Sequence, residues 1–137
     1  MAYISSFTYC DGIQTEMTPQ GPKPQIVKPL QVLTPIALPS NYSFAIACNI
    51  ADFDVNIENS VRICFVSPSG KNVNDTDEIK FQIPREQIKV NRPSVMQFNL
   101  DMRNVILREE GVYATRIFMN GEQIGEYKIA VVVGELQ

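Results

Sequence analysis

The chain has 137 residues, 45% of them apolar and 20% charged, with a net charge of −3 and no histidine. That length and apolar content fit one folded domain with a real core, and exclude disordered and fibrous classes. The mildly acidic balance, without a basic cluster, gives no footprint for nucleic acid or a membrane surface, and no apolar run approaches the ~20 residues of a membrane span.

The first ten residues, Met1 to Cys10, lack a basic region and a continuous apolar stretch, so they do not read as a signal peptide. Asp11-Gly12 lies between strand-like Tyr3–Tyr9 and Ile13–Met17 and predicts a hairpin turn. Residues 16–40 hold Pro19, Pro22, Pro24, Pro29, Pro35 and Pro39, six of the nine prolines in the chain. Proline lacks a backbone N–H and fixes φ, so this stretch is neither a central strand nor a helix. Its apolar residues Ile26, Val27, Leu30, Val32, Leu33 and Ile36 predict an extended segment packed on an edge of the fold.

Beyond it the pattern has period two, the signature of half-buried strands. Phe44, Ile46, Cys48 and Ile50 alternate with Ala45, Ala47 and Asn49; Val61, Ile63 and Phe65 alternate with Arg62 and Cys64. Ser67-Pro-Ser-Gly-Lys71 has Pro and Gly where a β-turn wants them. Ile79, Phe81 and Ile83 alternate until Pro84, and Met96, Phe98, Leu100 and Met102 alternate after it. Arg85–Lys89 and Arg103–Glu110 mix charges of both signs and read as solvated loops; only the second has room for a helical turn. Short strands about ten residues apart, with turns between them, predict an all-β, immunoglobulin-like antiparallel sandwich of about seven to nine strands. It forms a single domain over residues 1–137, with the Pro-rich segment 16–40 on its edge.

The closing hairpin fixes its own register. Tyr113, Thr115 and Ile117 share one face of a strand, and Tyr127, Ile129 and Val131 share one face of the return strand. A two-residue Asn120-Gly121 turn would set Tyr127 opposite Ala114 and mix the apolar and polar sets. A three-residue loop, Met119-Asn-Gly121, with Gly121 left-handed in a bulge, sets Tyr113 opposite Tyr127 and puts Arg116 and Glu126 on the outer face. Face consistency favours the longer loop. Upstream, Leu107-Arg-Glu-Glu-Gly111-Val-Tyr113 resembles the tyrosine corner of immunoglobulin-like domains, in which a Tyr bonds back to the preceding loop. Thr115 stands where antibody domains carry their second disulfide cysteine.

Val61-Arg-Ile-Cys-Phe-Val-Ser-Pro-Ser-Gly70, Gly111-Val-Tyr113 with Asn120-Gly-Glu122, and Leu38-Pro-Ser-Asn-Tyr-Ser-Phe44 together resemble an uncharacterised prokaryotic family, a domain of unknown function expected to be immunoglobulin-like. The resemblance covers roughly the last two-thirds of the chain. It implies no activity and no functional residues.

Cys10, Cys48 and Cys64 lie in strand-like segments without metal-ligand spacing. An odd count without a secretion signal reads as buried thiols of a cytoplasmic protein, with a Cys48–Cys64 bridge as the other reading. The lack of histidine removes the commonest general acid/base, and no nucleophile, P-loop or dinucleotide motif is present, so no catalytic residue and no cofactor is expected. Asp52-Phe-Asp54 and Asp75-Thr-Asp77 would supply oxygens to a calcium ion if their two loops converged at one end. Aspartate is also a turn former, and the absence of EF-hand-like spacing favours that reading. Phe118 and Ile124, rimmed by Arg116, Glu122 and Glu126, form a candidate recognition patch on the outer face, unless another segment covers them. The expected function is a non-catalytic interaction or accessory module, with a protein partner or self-association and no nucleic acid or membrane. A calcium- or ligand-binding sandwich of C2 type is the second class, and a structural component of a phage or mobile element the third.

Overall fold

The computed structural model describes residues 1–89 and 92–134. Where apolar and polar residues alternate the chain is extended, and the apolar set turns to one side. Ten strands result: β1 (Tyr3–Thr18), β2 (Gly21–Pro29), β3 (Val32–Leu33), β4 (Ser40–Ala51), β5 (Asn59–Val66), β6 (Asn72–Asp75), β7 (Ile79–Phe81), β8 (Val95–Leu107), β9 (Gly111–Met119) and β10 (Glu122–Val131). One sheet has the order β2-β1-β4-β8 and the other β3-β10-β9-β5-β6, with β7 on β5. The two face each other as an all-β sandwich of immunoglobulin-like arrangement: β4 and β8 take the places of strands B and E, and β5, β9 and β10 those of C, F and G.

The inner face of β4 holds Phe44, Ile46, Cys48 and Ile50, paired in register with Met102, Leu100, Phe98 and Met96 of β8. Val61, Ile63 and Phe65 of β5 and Tyr113, Thr115 and Ile117 of β9 meet them from the other sheet, and all six are buried. Aromatic rings run through this layer: Phe7 stacks on Tyr127 with centroids 4.1 Å apart, and Phe44 joins Phe65, which stacks on Tyr113 at 5.3 Å.

Several expectations change. Among the described residues the strands number ten, because the two-residue β3 and the short β6 and β7 add to the longer ones, and β3 pairs with β10 in parallel, so the sandwich is not wholly antiparallel. Asp11-Gly12 is no turn. β1 runs straight through it, with Gly12 opposite Val27, and the hairpin turns between Thr18 and Gly21, where Gly21 supplies the positive φ of 107°. The Pro-rich stretch forms the outer strand β2 of one sheet and then crosses to β3 at the edge of the other. Of its apolar residues only Leu33 is fully buried, while Ile36 is 91% exposed. Arg103–Leu107 continues β8 instead of forming a helical turn, and among the described residues the single helical turn, of 3-10 type, is Arg85–Gln87. All three cysteines are free; Cys48 faces the core from β4 whereas Cys64 sits on the outer side of β5, so they cannot bridge.

The closing hairpin keeps the expected faces by a different route. Met119 pairs with Glu122, so the turn is the two-residue Asn120-Gly121, both with positive φ, and a bulge between Gln123 and Gly125 then shifts the register. Tyr113 lies opposite Ile129 and Thr115 opposite Tyr127, which leaves both tyrosines on the inner face. Gly125 permits the bulge to pack closely: a Cβ there would stand 3.0 Å from Ile4 and 3.1 Å from the Tyr127 ring. The tyrosine corner is formed, the Tyr113 hydroxyl donating to the Glu109 carbonyl at 2.8 Å.

Candidate functional site: a cleft at the tip of the closing hairpin

At the end of the sandwich where the β9–β10 hairpin turns, the start of β1 and the β4–β5 loop leave a cleft of about 610 Å³. Phe53, Met119 and Ile124 give it apolar walls, and Asp52, Asp54 and Glu122 line it with carboxylates. Among the described residues no lysine or arginine lines it, and the Met1 ammonium stands 3.2 Å from Asp52.

Local sequence builds this end. Asp52 takes a positive φ of 62°, a conformation aspartate tolerates in turns, and its N–H donates to the Ser94 carbonyl at 2.9 Å. The Asp54 carboxylate accepts the Asn56 N–H at 2.9 Å, an Asx turn that closes the loop. Buried Asn59 donates to the Asp54 carbonyl at 2.8 Å and accepts from the Asn120 amide at 3.0 Å. Asn120 in turn accepts the Ser60 N–H at 2.8 Å through its side chain, and its own N–H donates to the Ser60 carbonyl at 2.9 Å. The hairpin tip is thus clamped to β5. Asp54 and Glu122 make no ion pair among the described residues.

The acidic loops, which could share an ion only if they converged, do not come together. Asp52 and Asp54 sit at this cleft, whereas Asp75 ends β6 and Asp77 lies between β6 and β7, and the Asp75 carboxylate is taken up by structure. Arg62 grips Asp75 with two hydrogen bonds, one of 3.0 Å, and the Asp77 N–H donates to Asp75 at 2.8 Å. The bidentate guanidinium holds the Asp75 carboxyl down at about 2. Among the described residues no group of three or more His, Cys, Asp or Glu is placed to hold a metal.

Nor does the structure form the patch of Phe118 and Ile124. The bulge turns Ile124 toward the core and into the cleft, while Phe118 stays on the outer face beside Ser60, Arg62, Glu78 and Gly121. Arg116 lies opposite Glu126 on that outer face and pairs with it at 3.4 Å. Phe53, Asn59, Met119 and Asn120 also line the cleft, and their sequence context did not mark them out. A glycine inside a strand, Gly125, was the available signal for the bulge that brings Ile124 to them.

The buried titratable groups lie elsewhere. Burial pushes the Cys48 thiol up to about 12 and raises those of Cys10 and Cys64. Burial likewise takes Tyr9 to about 12, against the opposing pull of its hydrogen bond to Thr115.

Among curated proteins none matches this sequence. Among solved structures the chain is similar to an immunoglobulin-like protein from Pseudomonas aeruginosa, with a TM-score of 0.42 and 11% identity over 96% of this chain and 97% of that one. Residues 5–132 match a family of unknown function, DUF6941, well beyond the last two-thirds that carried the resemblance; the chain belongs to that family.

Proposed function

We propose that the chain is a non-catalytic interaction module that takes a cationic side chain of a partner segment, lysine or arginine, into the cleft at the hairpin tip. The observation that carries this reading is the lining: apolar walls that suit an alkyl stem, and three carboxylates with no lysine or arginine side chain among them. The non-catalytic part is supported by three buried thiols whose pKa values are raised, the reverse of an activated nucleophile, and by the lack of histidine. Free thiols also suit a cytoplasmic location, and no helix among the described residues is long and apolar enough to cross a membrane.

The test is titration of the labelled protein with short peptides carrying lysine, arginine or uncharged norleucine, followed by NMR. Methyl shifts at Met119 and Ile124 with the cationic peptides alone, weakened by salt and lost in Asp54→Asn/Glu122→Gln, are the expected result. Equal response to norleucine, or none at millimolar peptide, would reject the reading.

A further inference from the structure

Asparagine followed by glycine occurs once in the chain, at Asn120-Gly121, where it forms the tight turn of the closing hairpin with φ of 51° and 83°. Such a pair carries a reaction of its own. The backbone nitrogen of the second residue attacks the side-chain carbonyl carbon of the first, and glycine, having no Cβ, hinders that approach least. Both residues are exposed, and a Cβ on Gly121 would meet nothing within 4 Å, so water reaches the turn.

What holds the reaction back is the clamp to β5. The Asn120 Oδ1 accepts the Ser60 N–H at 2.8 Å, its Nδ2 donates to the Asn59 Oδ1 at 3.0 Å, and its backbone N–H donates to the Ser60 carbonyl at 2.9 Å. Asn59 is itself fixed, buried and donating to the Asp54 and Ile57 carbonyls at 2.8 and 3.3 Å. An amide pinned through both its oxygen and its nitrogen cannot swing its Cγ onto the Gly121 nitrogen without giving up both bonds.

We propose that Asn120-Gly121 is a deamidation site gated by this clamp, silent while the hairpin tip is seated on β5 and reactive when the tip lifts. The Gly121 nitrogen bonds to Cγ of Asn120 and loses its proton, the Cγ–Nδ2 bond breaks, and ammonia leaves. Water then opens the five-membered imide, at Cγ to give aspartate or at the main-chain carbonyl to give isoaspartate, whose backbone runs through one additional carbon. Neither product restores the clamp. A carboxylate has no N–H to give, so the buried Asn59 Oδ1 loses its donor, and the additional carbon does not fit a two-residue turn. Asn120 also lines the cleft, so the reaction adds a carboxylate to those of Asp52, Asp54 and Glu122. The site rests on the turn and its clamp alone, whatever the cleft takes up.

Peptide mass spectrometry, which separates the asparagine, aspartate and isoaspartate forms of the Asn120 peptide, follows the reaction at pH 8. The chain unfolded in urea is expected to react about tenfold faster than the folded one, or more, because the folded chain must first open locally. Asn59→Ala removes one arm of the clamp and is expected to speed the reaction of the folded chain about threefold or more, with circular dichroism confirming the fold. Asn104, exposed but followed by β-branched Val105, is expected to stay intact in every sample. A second measurement needs no substitution. Below the unfolding transition of the natural chain, hydrogen exchange at the Asn120 N–H reports the lifting of the tip, and exchange and deamidation are expected to rise together with urea. A folded chain that reacts as fast as the unfolded one overturns the proposal. So does a folded Asn59→Ala no faster than the natural chain, a deamidation rate indifferent to exchange at Asn120, or equal conversion at Asn104.

Discussion

The hydroxyl groups of Tyr9 and Thr115 meet at 2.6 Å across the sandwich, and Tyr9 also donates to the Tyr127 carbonyl at 2.9 Å. A strand of each sheet is thereby tied at the position on β9 where antibody domains place a cysteine. Tyr9→Phe leaves the Thr115 hydroxyl buried without its partner and is expected to cost about 1–2 kcal/mol. Thr115→Val is expected to cost a similar amount, and the double variant less than the sum of the two, because neither group is then orphaned. Urea unfolding of the four proteins measures the coupling.

Gly111→Ala is expected to destabilise by more than about 2 kcal/mol. Gly111 has a φ of 133°, and an added Cβ would stand 2.8 Å from Cγ of Pro68, in the turn on which the tyrosine corner rests. Pairing it with Pro68→Ala is expected to relieve the contact but not the backbone strain, so that thermal melting recovers only in part.

The Arg62–Asp75 pair predicts an acid limb. The Asp75 carboxyl lies near 2 in the folded chain against an ordinary value of 3.8, so the folded state binds its proton less readily than the unfolded one. Its contribution is whole above about pH 4 and is lost as pH falls toward 2. The melting temperature of Asp75→Asn is therefore expected to lie below that of the natural chain at pH 6 and to approach it near pH 2.

The alkaline limb comes from Cys48 and Tyr9, both held near 12 by burial against ordinary values of 9 and 10. Folding favours their protonated forms, so stability is lost as pH rises above 9. At pH 8 a thiol reagent is expected to leave Cys48 unmodified in the native protein and to label it on unfolding, which mass spectrometry of the Cys48 peptide checks.

The two-sheet fold was legible because period two places Phe44–Ile50, Val61–Phe65 and Met96–Met102 unambiguously, and the tyrosine corner was legible from Gly111-Val-Tyr113. Where a turn falls was less so. Asp11-Gly12 has turn chemistry, yet pairing with β2 holds it extended, and tertiary pairing outweighs a local preference worth a fraction of a kcal/mol. In the closing hairpin, alternation correctly put Tyr113 and Tyr127 on one face but could not tell a longer loop from a tight turn followed by a bulge, since both shift the register by one. That ambiguity alone misplaced Ile124, and with it the candidate site. The acidic loops were read correctly as turn formers rather than ion ligands, but linear spacing does not reveal that Arg62, thirteen residues before Asp75, claims its carboxylate.

The clamp formed by Asn59, Ser60 and Asn120 has a kinetic side. A hairpin tip usually frays, but this one is bolted to a central strand, so Met119, Glu122 and Ile124 hold their places before anything arrives. On the proposed function, an incoming group forfeits little ordering entropy, and free and occupied forms are expected to superpose within about 1 Å. Loosening the bolt with Asn120→Gly is expected to weaken the proposed capture while removing no pocket-wall atom beyond the Asn120 side chain itself.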